Sequence, residues 1–194
     1  MNVDNFFDLS DCPAPHIVFG LRLPPMTLGH ITVLRGISSP YVVPGEIGIT
    51  DTLIAALVCA NPWRDSERMF HKWWFTRLVS LWGWRCRKMN MTTESLKFTA
   101  YLNEQFAFPR TTGTGGGSLR SPFIYRIITE LTSKLGMPYG EALDTPLLRA
   151  NALLVAYLEQ NGKIEFESRA EEERKIAFRQ FAAEMDRKKF GGAK

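Results

Sequence analysis

The residues best equipped for recognition or chemistry lie between Trp63 and Lys88, WRDSERMFHKWWFTRLVSLWGWRCRK. All five tryptophans of the 194-residue chain fall there. Arg64, Arg68 and Lys72 recur every four residues, Arg77, Arg85, Arg87 and Lys88 follow, and only Asp65 and Glu67 oppose them. Such a basic edge beside indole rings can lie on an anionic membrane surface or stack on bases. Phe70, Trp73, Trp74, Leu78, Leu81 and Trp82 also fit one broad helical stripe, predicting a single helix weakened near Gly83. A stripe that wide can be wholly consumed by a core, its ring N–H groups finding partners at the edge. This interior reading outweighs the membrane and nucleic-acid readings.

The other reactive residue types are scattered. His16, His30 and His71 have no acid or cysteine at a spacing that builds a site, and His30 reads as a satisfied core or cap residue. Cys12, Cys59 and Cys86 match neither a disulfide framework nor a CxxC metal pair, so reduced thiols are expected. The run RTTGTGGGSLRS, residues 110–121, carries glycine at 113, 115, 116 and 117. A phosphate-cradling loop needs Lys and Ser or Thr where this chain has Ser118, Leu119 and Arg120, so a flexible loop is predicted instead. Ser118 also lacks the GxSxG elbow, and Glu171, Glu172 and Glu173 read as a solvated helix face. The expectation is a non-enzymatic protein with no cofactor and no metal.

The totals agree with that class. A net charge of +4 and 45% hydrophobic residues describe an ordinary globular chain, with a mean hydropathy of -0.14 and pI near 9.0. No uncharged apolar run reaches 18 residues, so no membrane span is predicted. The first basic residue is Arg22, a start unlike a secretory signal, which points to the cytosol. A charge of +4 over this length is no nucleic-acid footprint.

The elements that must position the Trp-rich stretch follow from periodicity and punctuation. The predicted class is all-α, one domain of six to seven helices. Residues 1–20 read as an arm, too broken by proline for more than a turn or two, anchored by Phe6 and Phe7. Leu28, Ile31, Leu34 and Ile37 predict a short helix capped by Thr27, and Leu53, Ile54, Leu57 and Val58 a second one capped by Thr50 or Asp51. Neither is long enough to stand alone in water, so both must be buried. Thr92 or Thr93 opens a helix running to Phe106. Ser121 and Pro122 open another through Leu135, closed by Gly136. A turn at Met137–Gly140 leads to a helix with Thr145 as cap, Pro146 first and Gly162 as terminator. The helical domain is predicted to span 21–162. Residues 163–194 read as a charged helical extension whose apolar stripe, Phe178, Phe181, Ala182 and Met185, is a seam for another helix.

Two stretches carry a resemblance. GMPYGEALDTPLLRANALLVAYLEQNG resembles a C-terminal element of phage tail assembly chaperones and related small tail proteins. LRLPPMTLGHITVLRGISSPYV with TDTLIAALVCANPW resembles the N-terminal part of proteins from phage-like gene clusters. Together they cover about half the chain. The resemblance implies an all-helical protein of the host cytoplasm that binds apolar helical segments of the tape-measure protein. Trp73, Trp74, Trp82, Phe178, Phe181 and Met185 would meet the client, and self-association is allowed. Alternatives are a structural head-tail connector or tail protein of the virion, and a peripheral binder using the basic edge. The glycine loop and the five tryptophans depart from the family pattern.

Overall fold

Gly29 marks the close approach of two segments, because a Cβ there would run into the indole of Trp63. It belongs to α2 (Leu28–Gly36), which buries Leu28, Gly29, His30, Ile31, Val33 and Leu34 and is therefore enclosed by other helices. The computed structural model describes residues 3–11, 15–70, 72–107, 111–112, 122–162 and 165–166. Among these are nine α-helices and two short antiparallel ladders, so the fold is all-α. The glycines of 113–117 and the seam of Phe178, Phe181 and Met185 lie outside the described residues.

Two helix starts follow the expected logic with a change of actors. Thr27 caps α2, its Oγ accepting from the His30 N–H, while His30 Nδ1 accepts from the Thr27 N–H at 3.0 Å. The imidazole thus closes a capping box usually completed by Glu or Gln. Helix α3 (Ile49–Ala60) begins at Gly48 rather than at Thr50 or Asp51, since the Asp51 carboxylate reaches back to the Gly48 N–H at 2.9 Å. It buries seven of its twelve residues.

The Trp-rich stretch is not one helix. It divides into α4 (Trp63–Phe70) and α5 (Phe75–Arg85), followed by a 3-10 turn at Cys86–Lys88. Phe70 and Phe75 would face roughly 140° apart on a straight helix of 3.6 residues per turn. The bend lets their rings meet, centroids 4.4 Å apart. Three-residue turn bonds, Lys72 N–H to Met69 O and Phe75 N–H to Lys72 O, carry the chain round it. Gly83 does not weaken the helix. It lies inside α5, where a Cβ would come 3.6 Å from Leu53 of α3.

Helix α6 (Met91–Gln105) is capped by Asn90, whose Oδ1 accepts from the Thr93 N–H at 3.2 Å, rather than by Thr92 or Thr93. After it come α7 (Phe123–Lys134), α8 (Tyr139–Asp144) and α9 (Leu147–Gln160). The expected turn at 137–140 is the entry to α8, and Gly136 at φ +66° allows the reversal before it. Thr145 does not cap α9. Its Oγ1 donates to the Glu141 carbonyl at 2.8 Å, and its own carbonyl takes the Leu28 N–H. With Leu147 N–H on Met26 O at 2.7 Å, this stitches the approach to α9 against the approach to α2.

The ends differ most from expectation. Residues 3–11 form α1 (Val3–Asp11), and Phe6 is fully buried against Leu148 and Ala152 of α9. β1 (His16–Val18) and β2 (Leu21–Leu23) form a hairpin across the expected boundary between a Phe-anchored arm and the helical domain. Its turn residues Phe19 and Gly20 have φ of 51° and 73°, the left-handed pair that matches strand twist. β3 (Thr111–Thr112) pairs with β4 (Glu165–Phe166), so the extension opens with a strand rather than a helix.

Candidate functional site

Helix α5 has two different apolar faces. Phe75, Val79, Trp82 and Cys86, spaced by four, three and four residues, point inward; Phe75, Val79 and Cys86 are buried and Trp82 half-buried. On the opposite side Trp73, Arg77, Leu81, Trp84 and Lys88, spaced by four, four, three and four, are all exposed. Trp73 is 77% exposed, Trp84 66% and Leu81 64%. A folded chain has no need to display two indoles and a leucine along one helix line, and clustered exposure of this kind marks a contact surface.

Charge is laid into the same line. The Arg77 guanidinium carbon lies 5.0 Å from the centre of the Trp73 ring, a cation–π arrangement. Among the described residues no carboxylate forms an ion pair with Lys72, Arg77, Arg85, Arg87 or Lys88. The other half of the expected basic edge is already engaged. Arg64 donates to Asp144 at 2.8 Å, where Trp63 Nε1 also donates at 2.7 Å, and Arg68 stands 3.9 Å from Asp65.

The structure therefore sorts the sequence-derived residues. Trp73 and Trp74 lie in the bend before α5 and are exposed, in contrast to the core role expected for them. Trp82, which the resemblance would turn toward the client, faces inward instead, its Nε1 buried and without a hydrogen-bond partner among the described residues. Trp84 and Leu81 complete the outer line with Trp73. Sequence reasoning assigned Leu81 to the interior and gave Trp84 no role, although the 73-77-81-84 spacing was the available signal.

No group of three His, Cys, Asp or Glu side chains poised to hold a metal occurs among the described residues. His30 is held neutral: Nδ1 accepts from Thr27, Nε2–H donates to the Asn61 carbonyl at 2.7 Å, and burial lowers its pKa. Burial pushes the Cys59 thiol up to about 12, which suppresses thiolate chemistry. Cys86 is raised as well, chiefly by burial. An apolar cavity of about 380 Å³ lies between α2, the 40–44 segment and the facing ends of α6 and α7, with Arg35 on its lining.

Sequence reasoning placed the apolar residues Phe98, Tyr101 and Leu102 on this helix but missed the polar members of the inner face of α6. Glu94, Phe98, Tyr101 and Gln105, at helical spacing, are all buried. The Glu94 carboxylate accepts from the Phe19 N–H and from Lys97 Nζ at 2.6 Å. Tyr101 donates to the Pro24 carbonyl at 2.8 Å, and Gln105 Oε1 accepts from the Met26 N–H at 3.0 Å. Three polar side chains thus hold residues 19–26 in place. Burial would raise the Glu94 pKa, but Lys97 and the Phe19 N–H outweigh it and hold the carboxyl below its ordinary value.

Comparison with protein families, with characterised proteins and with solved structures returns no match to this chain. Among the described residues no helix is long and apolar enough to cross a membrane.

Proposed function

We propose that this chain is a non-enzymatic binding protein of tailed-phage morphogenesis, an assembly chaperone that holds apolar helical segments of the tape-measure protein. The observation that supports it is the outer line of α5, where Trp73, Leu81 and Trp84 stand exposed on a helix fixed to the core by its other face. An aromatic patch on a rigid element presents contact area at little entropic cost, since each indole has only two side-chain torsions to fix. The resemblance of residues 136–162 to tail assembly chaperones supplies the biological setting, and the host cytoplasm would be the place of action.

Co-expression with a tape-measure protein tests the reading. The expected result is a soluble complex that elutes together, and loss of that complex on combining Trp73→Ser with Trp84→Ser. A client that stays insoluble, with no complex, removes the proposal. Mass spectrometry of purified particles separates a chaperone, expected to be absent, from a structural head-tail connector or tail component, which would be present.

A further inference from the structure

Resting on the reading of α5 as a contact surface, we infer that the segment it receives is an acidic amphipathic α-helix lying along it, with carboxylates about two turns apart. The residues from Trp63 to Lys88 hold seven cations against two acids, in a chain whose net charge is +4. The basic excess of the whole molecule therefore resides in this stretch. The two acids do not neutralise the outer line: Asp65 stands beside Arg68, and Glu67 forms no ion pair among the described residues, while Arg64 is bound by the more distant Asp144. Arg77, Arg85, Arg87 and Lys88 are left for a partner, and their charge complements carboxylates.

The order of residues along the line selects the class of partner. Arg77 sits between Trp73 and Leu81, inside the apolar row rather than at its flank. A lipid surface would draw that guanidinium toward hydrocarbon together with its apolar neighbours, which is unfavourable for a charge. A membrane-surface helix segregates its cations to the polar side instead. Nucleic acid fits less well for a different reason. Leu81 offers a base neither a stacking plane nor a hydrogen bond, and the Trp73 ring is already covered by Arg77. A second helix meets every feature, placing apolar side chains on Leu81 and Trp84 and carboxylates on Arg77 and on Arg85 or Lys88. At 1.5 Å per residue, Arg77 lies roughly 12 Å along the axis from Arg85, and with the longer rise of the 3-10 turn roughly 18 Å from Lys88, a separation of two to three turns. Charge-assisted pairs at that repeat fix register as well as affinity.

The test uses the full chain and fluorescently labelled synthetic peptides of about five helical turns. One carries Leu and Met on one face with Glu at two-turn spacing, and the second has Lys for every Glu. Phosphatidylserine-containing vesicles and a single-stranded oligonucleotide are the remaining arms. The Glu peptide is expected to bind, the Lys peptide about tenfold more weakly, and Arg77→Glu is expected to narrow or invert that ratio. Circular dichroism of the Arg77→Glu variant should match the parent, since residue 77 is exposed. Equal binding of both peptides, or tighter binding of vesicles or oligonucleotide than of the Glu peptide, overturns the inference. If both peptides bind equally and Trp84→Ser removes both, the contact-surface reading survives while the inference on charge fails. If no peptide binds and no client co-elutes, both fall.

Discussion

Helices α5 and α6 are adjacent in the chain and built on opposite plans. Helix α5 turns indoles and a leucine toward solvent, whereas α6 turns a carboxylate, a phenol and an amide toward the core. In α6 Glu94, Tyr101 and Gln105 each bond a backbone atom of residues 19–26 and so hold the hairpin, although the Gln105 Nε2 stays buried without a partner among the described residues. In α5 the Trp73 ring meets the Arg77 cation while both outer rings stay mostly exposed, so the fold gains little from them. The lesson is that departure from hydrophobic-in, polar-out patterning has two meanings. A polar group bonded to distant backbone inside is architecture; an apolar row left exposed outside is the ground on which the proposed contact surface rests.

That contrast is sharpened by substitutions with graded expected costs. Phe98→Ala, at the centre of the inner face of α6, should cost about 3–5 kcal/mol in urea unfolding. A loss under about 1 kcal/mol would mean that α6 is not the spine of the core. Glu94→Leu leaves the Phe19 N–H buried and unbonded and should cost about 1–3 kcal/mol. Because the folded Glu94 pKa lies below its ordinary 4.5, its contribution is full above that pH and is lost as pH falls through the lowered value. The variant should therefore unfold with a weaker acid dependence than the parent.

His30 gives a third test at milder pH. Its folded pKa is lowered from 6.5 by burial, so the unfolded chain binds the extra proton first. Stability should be full above about pH 6.5 and decline as pH falls below it toward the depressed folded value. Urea midpoints at pH 8 and pH 5.5 measure the decline, and His30→Gln should flatten it. The smallest stability effect is expected on α5, where Trp84→Ser should change unfolding free energy by no more than about 0.5 kcal/mol. A loss of several kcal/mol there would show the outer line to be structural and dissolve the contrast.

The helical class was legible because most helices carry both periodicity and punctuation. Thr27, Pro122, Pro146, Gly136 and Gly162 all mark starts or stops near where the structure has them. What stayed hidden depended on distant partners. The α4–α5 bend comes from Phe70 and Phe75 both seeking the core, which local propensity does not encode. α1 holds as a helix with Phe6 buried on α9, a surface more than 140 residues further along. The inner face of α6 was hidden because Glu94 and Gln105 look like solvent residues until the backbone they bind is in view. The contact surface was half legible: the cations and tryptophans were evident, but which tryptophans faced outward depended on how α5 lies against α3.

The stitch between Met26–Leu28 and Thr145–Leu147 has a consequence during synthesis. The backbone bonds that tie the approach to α2 against the start of α9 cannot form until a segment some 120 residues later has left the ribosome. At about 5–20 residues per second that is a wait on the order of ten seconds. Through that interval the nascent chain exposes apolar surface that the finished molecule conceals.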